Sequence, residues 1–216
     1  MAEPARRRRR KEARPQEILE AALALFTERG FSATRLDDIA ARAGVSKGTL
    51  YLYFASKEAI FSELVRHAVL PNIARVEALV AGWSGSRASL LRRMIELLGT
   101  ALREDRIAAF PKLVIAESGN FPELARQYRE EVIERGLGLF ARVIAAGVAA
   151  GEFREVDSRH AAKLCVAPML LLAVWRTCLA RADEQPLDAQ ALVETHVETL
   201  LRGLAAKGGP VPEGVR

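Results

Sequence analysis

Cysteine is nearly absent from this chain, and its scarcity is the first constraint. Cys165 and Cys178 are the only two. They lie thirteen positions apart in what reads as one helix, about 20 Å of rise, too far to be bridged. A disulfide-stapled secreted scaffold is thereby excluded, and a reduced, cytoplasmic setting is expected. Histidine is scarce as well: His67, His160 and His196 are scattered and show no metal-ligand spacing. Neither a metal nor another cofactor is expected. No glycine-rich phosphate loop follows a strand and no nucleophile has a base near it, so nothing points to an enzyme. Long apolar runs are missing too. The longest, "LCVAPMLLLAVW" (164–175), falls short of the roughly 20 residues that span a bilayer. The segment "KEARPQEI" after the basic start is no signal-peptide core, and no membrane partner is expected. Period-two alternation, the mark of half-buried strands, is also lacking.

What the chain does have is apolar bulk and a lopsided charge. Half of its 216 residues are hydrophobic, enough for one sizeable core and a small satellite module. Residues 1–14 hold seven basic groups, Arg6 to Arg10, Lys11 and Arg14, against Glu3 and Glu12. Removing them from the 32 basic and 27 acidic residues leaves 25 of each, so the amino-terminal arm carries the whole net charge of +5. A neutral body behind a cationic tether suits a polyanion partner, nucleic acid first.

Apolar spacings of three and four predict an all-α chain of about nine helices. The first opens near Pro15 and stops at Gly30. Thr34, with Asp37 three residues on, reads as the N-cap of a short second helix, 36–43. Ser46 caps a third, through Tyr53, and Ser56 a fourth that reaches about Val80 with a bend at Pro71. Longer helices follow at 87–104, around "FPKLVIAES", from Asn120 to about Ala150, and over 158–182 and 187–206. The tail 207–216 has the composition of disorder.

Two short helices joined by "AGVS" make a helix-turn-helix pattern, with Leu36, Ile39, Ala40, Val45 and Leu50 as apolar anchors. The second helix of such a unit lies in the major groove with its first residues nearest the base edges. Lys47 supplies a cation for phosphate or guanine, and Gly48 lets the backbone come close. Thr49 offers a hydroxyl or a methyl, while Tyr51 and Tyr53 offer phenols on stiff rings. Thr34 and Lys57 open the flanking helices, where a phosphate can be gripped. Leu50 and Phe54 belong to the core.

The stretch "ILEAALALFTERGFSATRLDDIAARAGVSKGTLYLYFASKEAIFSEL" resembles the DNA-binding domain of the TetR family of transcriptional regulators, and "LVIAESGNFPELARQ" resembles its AefR-like C-terminal subgroup. The resemblance implies that Thr34, Ser46, Lys47, Gly48, Thr49, Tyr51, Tyr53 and Lys57 contact DNA. It departs from the family at Leu52 and Tyr53, where many members carry tyrosine and histidine, so Tyr53 stands at the histidine's place. The implied organisation is a disordered basic arm (1–13), a three-helix helix-turn-helix domain (14–57), a larger helical ligand-binding and dimerisation domain (58–206) and a disordered tail (207–216). The implied function is a transcriptional regulator, by family default a repressor.

The last two helices support dimerisation on their own account. The eighth is apolar on nearly every face, and the ninth carries Val193, Val197, Leu200 and Leu204 as a stripe. A two-fold homodimer calls for double-stranded DNA with a palindromic operator. Candidate walls for a lipophilic or aromatic small-molecule inducer are Met94, Phe110, Leu113, Glu117, Phe140, Met169 and Trp175. A buried Glu117 needs a partner, for which a cationic ligand or Arg176 is available. Ligand entry would move the fourth helix, tied at Lys57 to the DNA-reading unit. Two other readings remain: a helical protein-interaction module, which leaves "SKGTLYLYF" unexplained, and a switch by cysteine oxidation.

Overall fold

The structure is a computed structural model that describes residues 3–180 and 187–206, with side chains from residue 14 onward. The tail assigned to disorder lies outside the described residues. Among the described residues the regular structure is helical, with one isolated bridge between Phe153 and Ala205. Eleven α-helical segments fall into the nine rods read from the periodicity. They are α1 (Glu3–Arg29), α2 (Leu36–Arg42), α3 (Lys47–Tyr51), α4 (Lys57–Ala68), α5 (Leu70–Ala81), α6 (Arg87–Ala101), α7 (Asp105–Glu117), α8 (Pro122–Tyr128), α9 (Arg135–Ala149), α10 (Ser158–Val174) and α11 (Ala189–Leu204). The fourth rod breaks into α4 and α5, with Pro71 in the first turn of α5, where its missing N–H costs nothing. The π-helical turn Arg129–Glu134 joins α8 to α9, and a second, Trp175–Leu179, extends α10.

Two starts differ from the sequence reading. α1 begins at Glu3, not near Pro15, which falls inside it. The Arg-, Lys-, Glu- and Ala-rich stretch before Pro15 is built of strong helix formers. At α2 the N-cap is Arg35 rather than Thr34. Asp38, not Asp37, takes the third helical position and accepts from the Arg35 backbone N–H at 3.3 Å. Other caps fall where serine and aspartate permit. Ser46 and Ser86 accept from the backbone N–H three residues on, each at 3.1 Å, and Asp188 accepts from Gln190 and Ala191.

The chain divides into two compact units. The first comprises residues through Ala68 together with Leu113–Gln127, and the second Val69–Lys112 with Tyr128 onward. The boundary read at 57/58 therefore moves to the end of α4, and a segment from far along the chain joins the first unit. Its core gathers Ile18, Leu19 and Phe26 of α1, Phe31, Ile39 of α2, Leu50 of α3 and Ile60, Phe61 and Leu64 of α4. Phe31 is central: its ring lies 4.9 Å from Phe26, 6.1 Å edge-on from Phe61 and 4.9 Å edge-on from Phe121.

In the second unit α6, α9, α10 and α11 bury Leu91, Met94, Phe140, Ile144, Met169, Leu172 and Val197 between them. Val197 and Leu204 are thus core residues of this unit, not part of an open stripe as the spacing predicted. The continuous helical stretch Ser158–Leu179 is long and apolar enough to cross a membrane by length and composition. One flank, with Ala162, Cys165, Met169 and Leu172, is committed to the core, while Leu164, Leu171 and Leu179 are at least half exposed.

Close approach fixes two glycines here. A Cβ on Gly99 would lie 2.7 Å from Val193 of α11, and one on Gly147 would overlap the buried Phe153 ring. Gly147→Ala gains up to ~1 kcal/mol of helix propensity but overpacks a filled site by ~1–3 kcal/mol. The expected net is a lower midpoint in urea unfolding of the full chain; an unchanged or higher midpoint would show that Phe153 relaxes freely.

Candidate nucleic-acid interface

The α2–turn–α3 segment is built from the turn outward. Gly44 ends α2 with φ +65, a left-handed conformation that glycine adopts without strain. Val45 enters the core and Ser46 starts α3, its Oγ accepting from Thr49 N–H and lying 2.8 Å from Thr49 Oγ1. Leu50, fully buried, and Phe54 anchor the helix from behind. Ser46, Lys47, Gly48 and Tyr51 are thereby left on an open face, with Thr49 and Tyr53 half-buried beside them. Arg42 braces α2 against α1 through a two-pronged pair with Glu28, at 2.6 and 2.7 Å. That guanidinium holds the Glu28 carboxyl below the ordinary carboxylate range, by hydrogen bonding first.

Not all eight sequence candidates reach this face. Thr34 is buried, and its hydroxyl donates to the Gly30 carbonyl at 2.7 Å. The one-residue shift of the cap explains why: the side chain turns inward to close the α1–α2 loop. Lys57 also faces the protein. Its ammonium donates to the carbonyls of Phe31 at 2.8 Å and Ser32 at 3.1 Å, and sits 4.8 Å from the Phe31 ring centre. Both are loop-holding residues here. The face itself includes three residues the sequence reading did not name as DNA contacts: Arg35, Asp37 and Leu52, the last 82% exposed. Asp37 lies 2.8 Å from Lys47 Nζ, and its hydrogen bond raises the Lys47 pKa.

The ligand candidates do not form one group. Met94, Phe110, Phe140 and Met169 are buried in the second unit, and Trp175 is partly exposed there. Leu113 and Glu117 belong to the first. Glu117, expected to meet a cationic ligand or Arg176, instead accepts from Ser32 N–H at 3.0 Å. Arg176 is bonded elsewhere, to Asp105 and to the carbonyls of Leu102 and Arg103. Tyr128 was missed: it stacks parallel to Phe110 at 6.5 Å, and burial holds its phenol well above the usual range. Burial likewise pushes the Cys165 thiol up to about 12, which disfavours its thiolate, while Cys178 is exposed.

Two family models match successive parts of the chain. Residues 18–64 match the family model described as bacterial regulatory proteins, tetR family. Residues 89–205 match that of the AefR-like transcriptional repressor C-terminal domain. The HTH-type transcriptional repressor KstR2 of Mycobacterium tuberculosis (strain ATCC 25618 / H37Rv) is 30% identical over 89% of this chain and 93% of its own. The fatty acid metabolism regulator protein of Bacillus subtilis (strain 168) is 26% identical over 91% of this chain and 100% of its own. Among solved structures, the transcriptional regulator FadR from Bacillus subtilis in complex with stearoyl-CoA superposes with a TM-score of 0.67. At 24% identity, over 88% of this chain and 98% of that one, it speaks to fold alone.

Gly48 separates the folding requirement from the binding one. The nearest atom to a Cβ there would be Ser46 Oγ at 4.0 Å, so the folded chain has room for a methyl. Gly48→Ala is expected to melt at the same temperature or higher, by up to ~1 kcal/mol of propensity, while losing duplex affinity at least tenfold. Undiminished binding in a gel shift would mean that this backbone does not approach DNA.

Proposed function

The chain belongs to the TetR family of bacterial regulatory proteins, and we propose that it works as a homodimeric repressor released from a palindromic operator by a lipophilic ligand. The observation that carries the reading is the open Ser46–Tyr53 face, whose glycine the fold does not need. The first residues of α3 are the ones a helix-turn-helix presents to base edges. Lys47 and the phenols of Tyr51 and Tyr53 are suited to hold register on the duplex. The exposed flank of Leu164, Leu171 and Leu179 supports self-association, because seven- and eight-residue spacings put the three on one side of the helix.

A route for release is suggested by α7. Residues 105–112 belong to the second unit and 113–117 to the first, so one helix runs in both. Its last residue, Glu117, is bonded to Ser32, beside the loop that also receives Lys57. A ligand that shifts α7 in the second unit therefore pulls on the entry to α2. A hundredfold release requires about 2.7 kcal/mol of ligand preference for the non-binding state. The buried Met94, Phe110, Phe140 and Met169 favour an apolar ligand. Long-chain acyl-CoA is the first class to try, since a relative is named for fatty acid metabolism and a fold neighbour holds stearoyl-CoA.

The deciding measurement is titration of the full chain against the DNA upstream of its own gene, with mixed-sequence competitor at two salt concentrations. Saturable binding that survives competitor is expected, with Lys47→Ala about tenfold weaker. Loss of all binding to competitor would favour the interaction-module reading. Adding stearoyl-CoA tests release. Glu117→Ala, which also loosens the Ser32 loop, should bind DNA more weakly and show a smaller fraction of bound DNA released by ligand than the wild type; equal fractional release in both would remove Glu117 from the coupling route.

A further inference from the structure

The open face carries an acid among its cations. Asp37 stands at the second position of α2, half exposed, and its two oxygens lie 2.8 and 3.1 Å from Lys47 Nζ. An acid in a first turn is commonly explained by the helix dipole. Here Asp38 already fills that role and also accepts from the Arg35 N–H. Asp37 projects instead toward α3. The other titratable neighbours of Lys47 are Arg35 and Tyr51, so of the three Asp37 alone is a carboxylate. The principal cation of α3 is thus held by a carboxylate before any duplex arrives.

Resting on the DNA-binding reading above, we infer that Asp37 is a residue of the DNA interface that works against DNA, by holding Lys47 and by repelling the phosphate that would replace it. A phosphate taken by Lys47 lies well inside one Debye length, about 8 Å at physiological salt, of the Asp37 oxygens. Attraction to phosphates supplies essentially all of the affinity for non-operator DNA. A carboxylate at this place weakens the grip on DNA at large and leaves base-edge contacts from the Ser46–Tyr53 face to make an operator worth binding. Asp37 sets specificity by subtraction, through Lys47.

The test uses the full chain and its Asp37→Asn and Asp37→Ser variants, with anisotropy titrations on a labelled mixed-sequence duplex between about 50 and 200 mM salt. Both variants should bind about two- to fivefold more tightly at the low-salt end, the range of an exposed ion pair. The slope of log affinity against log salt should steepen by about 0.9, one additional phosphate. The gain should largely disappear in a Lys47→Ala background. A role confined to α2 stability would move the melting temperature and leave the salt slope alone. If the wild type binds and neither variant binds more tightly, or the gain survives Lys47→Ala intact, the role of Asp37 is overturned and the regulator reading stands. If the wild type binds no duplex at any salt, the regulator reading fails and takes this inference with it.

Discussion

The loop Gly30–Phe31–Ser32 is clasped from two sides, and the DNA-reading unit depends on that clasp. Glu117 accepts the Ser32 N–H, while the Lys57 ammonium collects the carbonyls of Phe31 and Ser32. Between them the Phe31 ring meets Phe26, Phe61 and Phe121. A buried carboxylate is costly unless it is bonded, and here the backbone of another segment satisfies it. Gly30 takes part as well: at φ +84 it turns the chain out of α1, and a Cβ there would lie 3.2 Å from the Glu117 oxygen. The loop fixes the entry to α2, α2 fixes the turn, and the turn fixes α3.

This hierarchy explains how a five-residue helix can serve as a reading head. A helix so short has no stability of its own. Leu50 and Phe54 hold it from behind, and the Ser46 hydroxyl supplies its cap. Orientation is therefore decided by the buried side, leaving Lys47, Tyr51 and Leu52 to be chosen for what lies outside. The same separation appears in the second unit. There α10 and its π-helical extension give one flank to the core and leave Leu164, Leu171 and Leu179 on the other.

Local features were legible in the sequence and distant ones were not. The nine rods, the glycine turn, the Ser46 cap and the core positions Leu50 and Phe54 follow from spacing and residue chemistry within a few positions. The cap of α2 was misplaced by one, because Thr34 has the chemistry of a cap but turns its hydroxyl to Gly30. That single step hid the part Asp37 plays, since it decides which acid caps and which faces Lys47. Lys57 and Glu117 look like surface and pocket groups until segments 25 and 85 residues from Ser32 are folded against the loop. No periodicity carries that information. Val197 and Leu204 were misassigned for a related reason: a stripe shows that a face is buried, not what buries it.

The split composition of the first unit has a consequence for how the molecule is made. Helices α1 to α4 leave the ribosome without Glu117, Phe121 or Gln127, which complete their unit. At about 5–20 residues per second, the missing segment is complete about 3–12 seconds later. Until then Phe31 lacks one of its aromatic partners and Ser32 its acceptor. A nascent reading head is thus unfinished until more than half of the polypeptide has been translated, and it matures only as α7 is delivered. Synthesis itself delays a finished grip on DNA until the first stretch of the second unit, Val69–Lys112, exists.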